Sequence, residues 1–140
     1  MKNLIIKSIL IFGIMTFLNA GMVGESVRYI GLTPSSHALQ SFAILIGCLM
    51  ISLVSFITLL IFNRSYNSVW KVAVLFEILY LLMLLWSQTN PFTYFTQRTD
   101  ENLLNLLLYV NSIAIFLFIS LFDIIYSKIV SSEKTTIDQE

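Results

Sequence analysis

Long apolar runs separated by short polar interruptions dominate this chain. Residues 4–23, 38–62, 69–87 and 103–126 are each composed mainly of Leu, Ile, Phe, Val, Met and Ala. Each run reaches the roughly 17–25 residues an α-helix needs to cross a hydrocarbon core about 30 Å thick. Inside lipid the backbone has no water to bond, so each run is expected to be a helix that satisfies its own amides and carbonyls. The pattern predicts an all-α polytopic membrane protein: a four-transmembrane-helix bundle forming one membrane domain over residues 1–140, with a short polar tail over 127–140. An even number of crossings puts both termini on one side.

Within the spans, polar and small residues recur at steps of three and four. In the third span Trp70, Ala73, Glu77, Tyr80, Leu84 and Ser87 share one face, and in the fourth Asn102, Asn105, Tyr109, Ser112, Phe116, Ser120 and Asp123 form a nearly continuous polar seam. The second span offers Ser41, Cys48, Ser52 and Ser55, with Ala43 and Gly47 as a small-xxx-small pair. Such residues let membrane helices approach closely and bond across a seam. The first span is poorer, with Gly13, Thr16 and Asn19.

Glu77 is the most informative of these positions, because an acid at bilayer depth needs a partner, a proton or a water-filled cavity. The spacing suggests a bond between Glu77 and Tyr109, with Ser52, Ser55 and Ser112 satisfying neighbouring groups. Three roles suit Glu77: a structural carboxyl bonded across helices, a contact for another membrane subunit, or a relay for protons, ions or substrate. No second acid at that depth completes a pump, since Asp123 falls near the end of its span beside Tyr126 and Lys128.

Composition supports the membrane reading. Hydrophobic residues make up 57% of the chain and charged residues only 11%, against roughly 25% charged in soluble domains. Mean hydropathy is +0.85. Eight Lys and Arg balance eight Asp and Glu, so no basic excess points to nucleic acid as a partner. Cys48 is the only cysteine, which excludes an intrachain disulfide and a cysteine-rich metal site.

The basic residues also set an orientation. Lys2, Lys7, Arg64, Lys71, Lys128 and Lys134 fall on one side of the topology, and only Arg28 and Arg98 on the other. By the positive-inside rule both termini are expected in the cytoplasm, and the membrane is expected to be a bacterial cytoplasmic (inner) membrane. A rival reading takes MKNLIIKSILIFGIMTFLNA as a signal peptide, with Ala20 near a cleavage site; that would leave three spans. The expectation is an uncleaved first helix.

The two segments opposite the termini are the places for a surface site. The first is expected to be a loop over residues 24–37, carrying Glu25, Arg28 and the sole histidine, His37, with Pro34, Ser35 and Ser36 leading into the second helix as breaker and caps. His37 reads as an interfacial hydrogen-bonding residue ahead of a metal ligand. In the second loop Asn90 and Pro91 are expected to stop the third helix, and Phe92, Tyr94 and Phe95 to lie at the membrane interface beside Trp86. Thr99 is expected to cap the fourth helix, with Asp100 and Glu101 at its positive end. An external recognition surface would draw on Arg28, His37, Phe92, Tyr94, Phe95 and Arg98.

Motifs for catalysis are absent: there is no HExxH, no paired-cysteine motif, no phosphate loop and no nucleotide-binding glycine fingerprint. No cofactor or metal is implied, and an enzyme is not the expectation. Four short spans with one embedded Glu resemble the gross hydropathy of small multidrug-resistance transporters. Those carry the acid in the first helix, whereas here it is Glu77 in the third, so the transporter reading lacks its main motif. The expectation is a small accessory, regulatory or protective membrane subunit acting through helix–helix contacts. An oligomeric transporter or channel using Glu77 is the alternative, and a lipid- or peptide-binding module a third. Partners would be membrane lipids and another integral membrane protein or further copies of the chain.

Overall fold

The computed structural model describes residues 2–31, 34–62, 65–66 and 68–137; side chains are described over 5–31, 38–62, 65–66 and 68–128. Arg64 and the side chains of Lys2, Ser35, Ser36, His37 and Lys134 therefore lie outside the described residues. The helices are α1 (Lys2–Ile30), α2 (Pro34–Ile61), α3 (Val69–Trp86), the single turn α4 (Thr93–Thr96) and α5 (Asp100–Ile137), with no strand among the described residues. Among the described residues four stretches are long and apolar enough to cross a membrane: Ile5–Ile30, Ala38–Ile61, Val69–Trp86 and Asp100–Lys128.

Three boundaries differ from the sequence reading. The expected loop over 24–37 is much shorter, because α1 continues through Gly24, Glu25 and Arg28 to Ile30. Val23, Ser26 and Val27 keep a buried stripe running through this stretch, and an isolated glycine does not end a helix that has packing on both sides of it. The stop is Gly31, whose φ of 80° suits glycine and whose N–H donates to the Arg28 carbonyl at 3.1 Å. At the other end of the chain, α5 extends to Ile137 through the segment expected to be a tail; that segment contains neither Gly nor Pro to break it.

The third helix also ends earlier than Asn90 and Pro91. Gln88 takes a left-handed φ of 59°; its N–H donates to the Leu85 carbonyl at 3.2 Å and the Thr89 N–H to Leu84 at 3.1 Å. These are the two bonds of a Schellman cap. Asn90 instead organises the next turn, its side-chain oxygen accepting from the Phe92 N–H at 2.9 Å. Thr99 caps α5 as expected, its Oγ1 accepting from the Asn102 N–H at 3.3 Å.

Around the bundle the order is α1, α2, α3, α5, each touching the next and α5 returning to α1. The α1 and α3 helices also meet across the centre, which leaves α2 and α5 at opposite corners. Lipid tails are as apolar as leucine, so dispersion and close approach must hold such helices together. Two glycines mark the close approaches: a Cβ on Gly47 would lie 2.6 Å from Met83 Sδ in α3, and one on Gly24 would lie 3.2 Å from Ser41 Oγ in α2. Ala43, the expected companion of Gly47, is exposed. The core is built from Phe12, Met15, Leu59, Phe76, Tyr80 and Leu84. Phe12 and Phe76 stack with centroids 6.0 Å apart across the α1–α3 diagonal.

Candidate functional site

Glu77 stands halfway along α3, on a buried face with Ala73, Phe76, Tyr80 and Leu84. At about 1.5 Å of rise per residue it is roughly 12 Å from either end of its helix. Trp70 and Ser87, expected on the same face, are exposed. Trp70 instead lies against Phe116 of α5, with centroids 5.1 Å apart.

Ser112 of α5 is the partner of Glu77. Its hydroxyl lies 2.9 Å from Oε1 and 2.8 Å from Oε2. A serine has one proton, so it donates to one carboxyl oxygen at a time. A protonated carboxyl can return a hydrogen bond to Ser112 Oγ, whereas an ionised one can only accept. Cys48 of α2 and Tyr80 are both fully buried. The Tyr80 ring stacks on Phe76 at 6.4 Å, and its hydroxyl has no hydrogen-bond partner among the described residues.

The expected Glu77–Tyr109 bond does not form. Tyr109 donates instead to the Thr89 carbonyl at 2.7 Å, tying the loop after α3 to the first turns of α5. The reason is directional: a helical side chain leans toward the N-terminus of its own helix. Tyr109 is one turn nearer that end than Ser112 and therefore reaches the loop. Ser52 is likewise engaged elsewhere; its hydroxyl pairs with Thr16 of α1 at 3.0 Å. Ser55 is fully buried in α2 with its Oγ unpartnered, and Asn105 is half-buried at the edge of the seam.

One polar link was missed from the sequence. Asn111 Nδ2 donates to Ser26 Oγ of α1 at 2.8 Å, and Ser26 donates on to the Met22 carbonyl at 2.8 Å. Asn19, nearby on α1, donates to Met15 at 2.9 Å and leaves its Oδ1 unpaired. The seam thus divides into separate contacts, α3 to α5, α1 to α2 and α1 to α5.

The expected external surface is only partly assembled. Phe92 and Phe95 are exposed and Tyr94 is half-buried on and beside α4, where the Tyr94 and Phe95 rings meet edge to face at 6.0 Å. Arg98 is exposed a few residues on, whereas Arg28 is exposed at the end of α1, and α4 packs on α5 alone. The His37 side chain is outside the described residues.

Hollows open on the surface among the described residues. One, about 750 Å³, lies at the loop end between α3 and α5 and is lined by Thr89, Asn90, Pro91, Phe92, Tyr109 and Val110 among others. Another, about 610 Å³, is an apolar groove between α1 and α2 with Thr16 and Ser52 among its lining residues. Smaller ones lie along α2 and α3 and around Val69, Phe118 and Asp123. No group of three or more His, Cys, Asp or Glu side chains able to hold a metal ion occurs among the described residues. Compared with known protein families, curated proteins and solved structures, the chain matches none.

Proposed function

We propose that the protein is a small integral membrane subunit with an accessory, regulatory or protective role, acting through helix–helix contacts with a different membrane protein. The carrying observation is that Glu77 is bonded within its own chain, to Ser112. Glu77–Ser112, Asn111–Ser26 and Thr16–Ser52 use polar groups of the spans to join the helices, and what faces outward along the spans is mostly apolar. Within each span only 22% to 33% of the most apolar window is buried in the bundle. Lateral membrane surface is what this chain has most of, and a partner's helices are what such surface can bind by packing. The basic residues favour an orientation with both termini in the cytoplasm.

Gentle detergent extraction followed by mass spectrometry tests this. A second, different membrane protein in stoichiometric amount is the expected result; an assembly of this chain alone contradicts it. The unpartnered hydroxyls of Tyr80 and Ser55 favour a second reading, an oligomeric transporter or channel. Flux in proteoliposomes that is lost in Glu77→Gln would place that reading first.

A further inference from the structure

We propose that the loop-end hollow between α3 and α5 binds one acylglycerol, an uncharged lipid whose glycerol ester head lies against Gln88 and Asn90 and whose acyl chain runs along α5 toward Ile113. The inference stands apart from the accessory role above, because it concerns a ligand of the single chain.

Three observations carry it. The first is that the hollow has the polarity gradient of a lipid. Gln88, Thr89 and Asn90 line it from the loop, and Leu85, Leu106, Val110 and Ile113 line it from the helices. The apolar span of α3 ends at Trp86, so the loop residues meet the headgroup layer while Ile113 lies in hydrocarbon. From Leu106 to Ile113 the hollow follows α5 for about 10 Å. Its volume of about 750 Å³ falls within the roughly 300–1,000 Å³ of small-molecule sites. Leu85, Val110 and Ile113 are exposed on the side that faces lipid, so a chain can enter laterally.

The second observation is that the polar end offers donors and no charge. The Asn90 side-chain oxygen accepts from the Phe92 N–H at 2.9 Å and its carbonyl from the Thr93 hydroxyl at 2.7 Å, which leaves Nδ2 to donate. The Gln88 side chain makes no hydrogen bond among the described residues. Amide donors suit the ester carbonyls and hydroxyls of an acylglycerol. A phosphate head would find no cation among the lining residues. A transmembrane helix bonds its own amides and carbonyls internally, so its backbone would leave these donors idle.

The third is the backbone at Gln88. Its left-handed φ of 59° falls at a cap position where glycine is the usual residue, and strained residues of this kind gather at ligand clamps. A side chain that lines the hollow accounts for a glutamine there. The Tyr109 bond to the Thr89 carbonyl, 2.7 Å, pins the loop to α5 and so holds the hollow in shape without a ligand.

Photo-labelling of the purified protein in phosphatidylcholine nanodiscs tests the site, using dioleoylglycerol with a diazirine on one acyl chain and peptide mass spectrometry. Adducts should concentrate at Leu85 and over residues 106–113. Unlabelled dioleoylglycerol should suppress them, and phosphatidylglycerol with the same chains should not. Gln88→Gly keeps the cap and removes the amide; the dioleoylglycerol concentration needed for half suppression should rise about two- to tenfold, the worth of one hydrogen bond. Val110→Trp fills the hollow from a lipid-facing position and should cut the adducts about tenfold, whereas Leu53→Trp, in the α1–α2 groove, should label as wild type. Protection of Cys48 from a maleimide verifies that each variant is folded. In the native membrane, a photo-crosslinker replacing Ile113 should give lipid adducts. The proposal is overturned by adducts spread evenly over the four spans, by equal suppression with phosphatidylglycerol, by wild-type behaviour of either Gln88→Gly or Val110→Trp, by a matching loss in Leu53→Trp, or by an Ile113 probe that traps a protein helix instead of lipid.

Discussion

Removing the Ser112 hydroxyl should destabilise the bundle, and removing Glu77 as well should restore much of the loss. In Ser112→Ala the carboxyl of Glu77, 6% exposed and bonded by that hydroxyl, keeps its burial and loses this donor. Leaving a buried polar group unsatisfied costs about 1–3 kcal/mol. In Glu77→Leu the serine is the group left behind, but a helical serine can turn to the carbonyl four residues earlier, so the loss is smaller. In the double variant an apolar pair replaces a polar one, and such replacement is often close to neutral. The cycle should therefore show a coupling of at least about 0.6 kcal/mol, the average for hydrogen bonds between membrane helices, with about 1.7 kcal/mol as the upper end. Reversible unfolding in mixed micelles, titrated with a denaturing detergent, measures all four proteins. Losses that simply add, to within about 0.3 kcal/mol, would refute the pairing.

Other perturbations probe other joints. Gly47→Ile should cost about 1–3 kcal/mol by overpacking against Met83, and Met83→Ala should relieve much of that cost in the double variant, read by the same unfolding titration. Gln88→Gly should stabilise the protein by about 1 kcal/mol, since glycine adopts the φ of 59° found there without steric penalty. Cys48 is fully buried, so it should resist a maleimide in the folded protein and label fully once the bundle is unfolded; rapid labelling of native protein would show that α2 is packed differently.

The face containing Ala73, Glu77, Tyr80 and Leu84 was legible in the sequence because steps of three and four on an isolated helix mark one side of it. Partner assignment was harder. Spacing along α5 grouped Tyr109 with Ser112, but it carries no information on the lean of each side chain, and that lean sends Tyr109 to the loop. Asn111 escaped notice because a single seam was assumed. The α5 helix packs against both α1 and α3, so its buried face is two neighbours wide, with Ser112 turned to α3 and Asn111 to α1. Likewise Gly24 resembled the start of a loop when read alone. The close approach of Ser41 across the α1–α2 contact explains its presence inside a helix, and a contact of that kind is invisible to local pattern.

The most direct test of the proposed role is photo-crosslinking in the native membrane, from one outward-facing position on each span. Phe17, Leu53, Leu82 and Leu117 are all more than half exposed and point away from the core. A probe at one or two of them should trap a single different membrane protein, while a probe replacing buried Leu84 should not. Adducts only with lipid, or only with further copies of this chain, from all four positions would contradict the claim that it works through contact with another membrane protein.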